Sequence, residues 1–144
     1  RTNVTLMAQL PLAKGLFDWV CSQKPKFQHG SCQVFYGAYE AARPKMLGGS
    51  PQKGAEILRQ SMKDYPHNKM HAIAYLQFSV IPKGEKKEYL EVEKALSKFE
   101  KIFQQQMYWS PMEEMASVPE NVNLYNAIAL KRFQIIRRMQ KKIF

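Results

Sequence analysis

Apolar residues recur along this chain every three or four positions, which is the period of an amphipathic helix. Leu6, Leu10, Ala13, Phe17 and Val20 predict a first helix from Thr5 to Gln23, ended by Lys24-Pro25. Val34, Phe35, Ala38 and Ala41 predict a second from Gln28 to Ala42. It ends at Arg43-Pro44, because the residue before a proline is pushed out of the α region. Ser50 then caps a third helix, with Pro51 in its first turn. That helix carries Ile57, Leu58 and Met62 and stops near Tyr65-Pro66. Asn68 caps a fourth, which reads to Val80, and Lys83-Gly84 turns the chain. A fifth, from Glu85 to Gln105, directs Tyr89, Val92, Leu96, Phe99 and Phe103 inward. Ser110 and Glu113 have capping-box spacing in a short turn, and a last helix runs from Asn121 to Phe144. No alternating run and no hairpin dipeptide signals a strand. The pattern predicts an all-α fold.

The helices also repeat. Ala13, Phe17 and Val20 stand at i, i+4 and i+7; so do Gly54, Leu58 and Ser61, and then Ala95, Phe99 and Ile102. Each set follows the one before by 41 residues, and Pro25 and Pro66 share that spacing. Small-large-small before a proline is the pattern of the second helix of a tetratricopeptide repeat, whose period is about 34 residues. The small residue lets two helices approach and the large one fills the gap. The extra residues of the first unit fall in RPKMLGG, between two helices. The expected architecture is therefore a stack of antiparallel helical hairpins, tetratricopeptide-like, in a single domain over residues 1–144. In the RPKMLGG connection, Gly-Gly supplies positive φ, and Met46-Leu47 is expected to fold back onto the core.

Charge and cysteines add to this picture. The net charge is +10, from 22 Lys+Arg against 12 Asp+Glu. An acidic partner, nucleic acid and an anionic membrane surface are all compatible with it, as is a merely solvated basic surface, and no nucleic-acid partner is expected. The basic cluster KRFQIIRRMQKK sits where positive charge also complements a helix C-terminus. No apolar run approaches the roughly 20 residues that cross a bilayer. Cys21 and Cys32 flank a Lys-Pro-Lys turn. They read as small buried core residues, or as a single bridge if the compartment is oxidising.

The stretch GAYEAARPKMLGGSPQKGAEIL resembles the TRAP transporter T-component family, the TatT-like proteins. Its members share a segment matched here by Gly37, Ala41, Arg43, Pro44, Leu47, Gly48, Gly49 and Pro51. LPLAKGLFDWVCSQKPKF, FSVIPKGEKKEYLEVEKAL and the ending NLYNAIALKRFQIIRRMQKKIF are similar in layout to the segments around it. The resemblance implies a periplasmic, non-enzymatic accessory of a tripartite ATP-independent transport system. Its partner would be the solute-binding receptor (P) component. The resemblance also implies a lipoprotein anchor and further repeat helices in the full-length protein, assembly as a trimer, and a small hydrophobic ligand. The other reading is a generic repeat scaffold that binds an acidic partner through its basic face.

Little in the sequence suggests catalysis. His67 and His71 are four apart but straddle a helix start, with no third metal ligand near in sequence. Glu113-Glu114 fits a helix N-terminus. No phosphate loop or nucleophile elbow is present, and no cofactor is expected. The aromatics are more informative. Tyr36 and Tyr39 on the second helix, Tyr75 on its equivalent one repeat later, and Arg43 are expected to line a shared groove for a ligand or partner. The plainer reading makes Phe35 and Tyr36 core and leaves Tyr39 half-exposed. Trp109 is a candidate partner anchor, or a plug at the end of the stack.

Overall fold

The computed structural model describes residues 4–106 and 120–144; Trp109, Ser110, Glu113 and Glu114 lie outside them. Helix α1 spans Val4–Gln23 and α2 spans Ser31–Ala42. A 3₁₀ turn at Lys45–Leu47 leads to α3, Pro51–Asp64. Helix α4, Met70–Tyr75, continues through a π segment, Leu76–Val80, into α5, Ile81–Lys83. Helix α6 is Lys86–Gln106 and α7 is Glu120–Ile143. The described residues contain no strand, so the fold is all-α as the periodicity predicts.

The breaks fall where the local chemistry demands. The Ser50 hydroxyl accepts the Lys53 N–H and caps α3, with Pro51 in the first turn. Lys69 stands at the cap position of α4, and the Asn68 side-chain oxygen just before it accepts the Met70 N–H at 3.1 Å. The fourth helix outruns the sequence expectation of Val80 by three residues. Pro82 explains how. Its ring would clash with the carbonyl four residues back and it donates no hydrogen bond. The wider π turn removes that conflict: Ile81 N–H bonds to Leu76 and Glu85 N–H to Val80, each five residues back. Gly84, at φ +68°, then reverses the chain.

Helices α2, α4 and α7 touch in succession, while α1, α3 and α6 pack against them. This layering fits stacked hairpins. Leu58, Ile73, Leu76, Leu96 and Phe133 are fully buried at the centre, each contributing about 1.5–3 kcal/mol by leaving water. The α2–α3 crossing is close because its contact residues are small. A Cβ on Gly54 would strike the backbone and side chain of Ala41, and one on Gly37 would strike Leu58. Two residues of the family segment, Gly37 and Ala41, thus serve helix packing.

Helix α1 is attached more lightly. Phe17 stacks on Phe35 with ring centroids 3.9 Å apart. Cys21 and Cys32 form a disulfide with Cα atoms 6.0 Å apart. This resolves the two cysteine readings in favour of a bridge. It ties the end of α1 to the start of α2.

Candidate functional site

The RPKMLGG connection is built around one side chain. Arg43 Nε donates to the Tyr39 carbonyl at 3.2 Å, Nη1 to Leu47 O at 3.0 Å and Nη2 to Gly48 O at 3.2 Å. Nη2 also reaches the Glu40 carboxylate, and the guanidinium lies 3.9 Å from the Tyr39 ring centroid. A planar donor fork suits this job, since it satisfies carbonyls that a tight turn leaves unpaired. Gly48 takes φ +76°. Gly49 is needed for space, because an added Cβ would overlap the Arg43 carbonyl. Met46 and Leu47 do not fold onto the core as expected: they are 89% and 54% exposed. Arg43 takes the inner side of the turn by hydrogen bonding, and the apolar side chains are left outside.

The expected aromatic groove is therefore redistributed. Tyr39 belongs to a ladder with Phe35 and Arg43, and its ring is covered by both. Tyr75 is 1% exposed. Its hydroxyl donates to Glu88 and accepts from Arg59 Nη2 at 2.6 Å. It is a core residue of the α4–α6 packing, and the expectation that it faces a groove is corrected. The physical reason is that α6 packs over the π segment following Tyr75 and encloses that flank. Burial raises the Tyr75 hydroxyl pKa, and the Glu88 bond raises it further. Burial opposes ionisation of Glu88 too, but its bonds with Glu85, Tyr75 and Arg59 win and hold it at about 2.

Tyr36 lines an open groove. The groove, about 670 Å³, lies between α1, α2 and α3. Tyr36 and Ile57 supply apolar surface; Lys14, Lys53, Glu40 and Glu56 alternate in sign around them. The Tyr36 hydroxyl donates to Asp18 Oδ1 at 2.8 Å, and Lys14 donates to Asp18 Oδ2 at 2.6 Å. The Lys14 bond, then the Tyr36 bond, lowers the Asp18 pKa; burial, then the Asp18 bond, raises that of Tyr36. Groups of this kind read a polar surface by pairing.

Two apolar stripes are exposed elsewhere. Leu12, Leu16 and Trp19 share one face of α1, with Trp19 at 68% exposure. At 100° per residue that face lies about 200° around the helix from Lys14 and Asp18, away from the groove. Leu124, Ile128, Ile135 and Met139 form the second stripe, along α7. His67 is exposed and His71 is buried, so the two do not form a site; the described residues hold no group of three candidate metal ligands.

The whole chain, residues 1–144, matches one family model. The chain belongs to the TRAP transporter T-component family. Searches of curated proteins and of solved structures found no match. As a T-component it is an accessory of a TRAP transport system. No helix among the described residues is long and apolar enough to cross a membrane. Sequence reading found the T-component segment but not the side chains that organise its turns. Asn126 of α7 is the clearest example. It is fully buried, accepts the Lys69 N–H at 2.9 Å and donates to the His67 carbonyl at 3.0 Å. An asparagine in an otherwise apolar stripe, Val122-Asn126-Ala129-Phe133, was the available signal.

Proposed function

We propose that this T-component is a non-enzymatic periplasmic protein that docks the solute-binding receptor of its TRAP system through the α1–α2–α3 groove. The match over residues 1–144 carries the reading. The groove supports it: Tyr36 and Ile57 are ringed by charges of both signs, which suits a folded protein surface. The Cys21–Cys32 bridge supports an oxidising compartment. The single helical-repeat domain continues, in the full-length protein, from an N-terminal lipoprotein anchor. Assembly into a trimer would cover apolar stripes such as that of α7.

Titration calorimetry against the receptor of the same transport system tests docking, in about 0.05 M and about 0.5 M salt. The reading expects micromolar or tighter binding that survives salt, and weaker binding by Tyr36→Ala at unchanged helicity. A receptor that fails to bind the folded protein would overturn it. The other reading, a scaffold for an acidic partner, draws on the exposed Lys131, Arg132, Arg137, Arg138 and Lys142 of α7. Binding that collapses on adding salt would favour it.

A further inference from the structure

A cleft of about 350 Å³ opens between the α3–α4 turn and α6. Met62, Ala72, Val92 and Leu96 give it apolar walls. Ala95, also at the cleft, is exposed and carries only a methyl group, which keeps the space open. One cation enters it. The Lys69 backbone N–H is fixed by Asn126, and its ammonium donates to the Pro66 carbonyl at 2.5 Å and lies 4.8 Å from the Phe99 ring centroid. Among the described residues no carboxylate stands within ion-pair distance of it. Burial holds this ammonium below its ordinary pKa. A half-buried cation with one carbonyl and one ring for company gains most from an anion that brings its own hydrogen-bond acceptors.

We propose that this cleft binds a small monocarboxylate with an unbranched apolar chain, its carboxylate on Lys69 and its chain against Met62, Val92 and Leu96. The volume equals about a dozen water-sized groups, which suits an acid of medium chain length. One cation matches one carboxylate. Glu91, exposed at the cleft edge, disfavours a second negative charge on the ligand. The proposal deepens the reading of a small hydrophobic ligand and does not depend on receptor docking.

Calorimetry of the intact chain with octanoate, and with octan-1-ol as the uncharged control, tests it at neutral pH. Saturable octanoate binding is expected, with octan-1-ol at least about tenfold weaker. Lys69→Met should weaken octanoate about tenfold and leave octan-1-ol unchanged. Ala95→Trp, at an exposed position, should block both with the circular dichroism spectrum retained. Absence of saturable octanoate binding would overturn the proposal, as would equal affinity for the acid and the alcohol. Octanoate binding undisturbed by Ala95→Trp would also overturn it, and that variant decides should Lys69→Met fail to fold. Receptor titration of the unaltered protein reads docking separately, so a negative octanoate result leaves that reading standing.

Discussion

Asn126 holds the backbone of Lys69 across 57 residues of sequence, accepting its N–H at 2.9 Å. Its amide nitrogen donates to the carbonyl of His67 in the same turn. One buried side chain therefore locks the α3–α4 connection to α7 and sets where the Lys69 ammonium begins its path. Asn126→Ala would take the partner from two half-buried backbone groups, the Lys69 N–H and the His67 carbonyl. A loss of about 2–4 kcal/mol is expected, which for a chain of this length lowers the melting temperature by about 10 °C. Thermal unfolding by circular dichroism checks it; a shift of a degree or two would show that other groups replace the contact.

Tyr36 and Tyr75 should part company on mutation. Tyr75 is buried with its hydroxyl between Arg59 and Glu88, so Tyr75→Ala is expected to cost about 3–5 kcal/mol. Tyr75→Phe keeps the ring, leaves Arg59 and Glu88 to each other at 2.7 Å, and should cost about 1 kcal/mol. Tyr36 is half-buried at a groove, so Tyr36→Ala should reduce receptor affinity more than it reduces stability. Denaturant midpoints beside binding constants separate the two. Equal stability losses for both alanine variants would make Tyr36 a packing residue.

The two glycines of the connection should differ as well. Gly49→Ala places a methyl group into the Arg43 carbonyl and breaks the close approach. Gly48→Ala meets nothing nearer than an arginine nitrogen at 3.6 Å but must hold φ +76°. The second change should cost about 1 kcal/mol, and the first clearly more. Chemical denaturation of both variants orders them, and the reverse order would contradict the turn geometry.

The contrast between what was legible and what was not has a physical pattern. Proline, glycine and capping residues act locally, so Ser50, Asn68, Pro44 and Gly84 mark their breaks within the sequence itself. The 41-residue recurrence survives in Gly54, Leu58 and Ser61, all buried. It weakens in its other copies: Ala95 is exposed, and Ala13 is half-buried on a lightly packed helix. Tyr75 was misread because helical spacing says which residues share a face, not which neighbour covers that face. Met46 and Leu47 were misread because Arg43 competes for the same inner position with several hydrogen bonds. Lys69 gave no signal, because a lysine in a polar turn ordinarily means solvent.

Removing the Cys21–Cys32 bridge should act on α1 first. The bridge closes a short loop of sequence separation 11, worth about 2–4 kcal/mol. Apart from it, α1 rests on α2 through the Phe17–Phe35 stack and the Tyr36–Asp18 bond. The double variant Cys21→Ser with Cys32→Ser should open α1 to proteolysis at Lys14 while α3, α4 and α7 stay protected. Cleavage spread evenly along the chain would mean that α1 unfolds only with the rest.

Acid should destabilise the protein through His71. The ring is fully buried and stacks on Tyr65 with centroids 5.1 Å apart. Its Nε2 donates to the His29 carbonyl at 2.9 Å, a carbonyl that also accepts from Asn68 at 3.1 Å. That bond places the proton on Nε2, and Nδ1 has no hydrogen-bond partner among the described residues. Burial pushes the pKa below its ordinary 6.5, against smaller opposing effects of the His29 carbonyl and Asp64. A depressed histidine favours the neutral form in the folded protein. As pH falls through 6.5 the unfolded chain takes up the proton first, so stability is full above that value and drops below it. The loss continues until the folded value is reached, at up to about 1.4 kcal/mol per pH unit. His71→Gln keeps an amide donor for the His29 carbonyl and does not titrate. Melting curves from about pH 8 to about pH 5 should fall less steeply for this variant than for the unaltered protein. Parallel curves would remove His71 as the source of acid sensitivity.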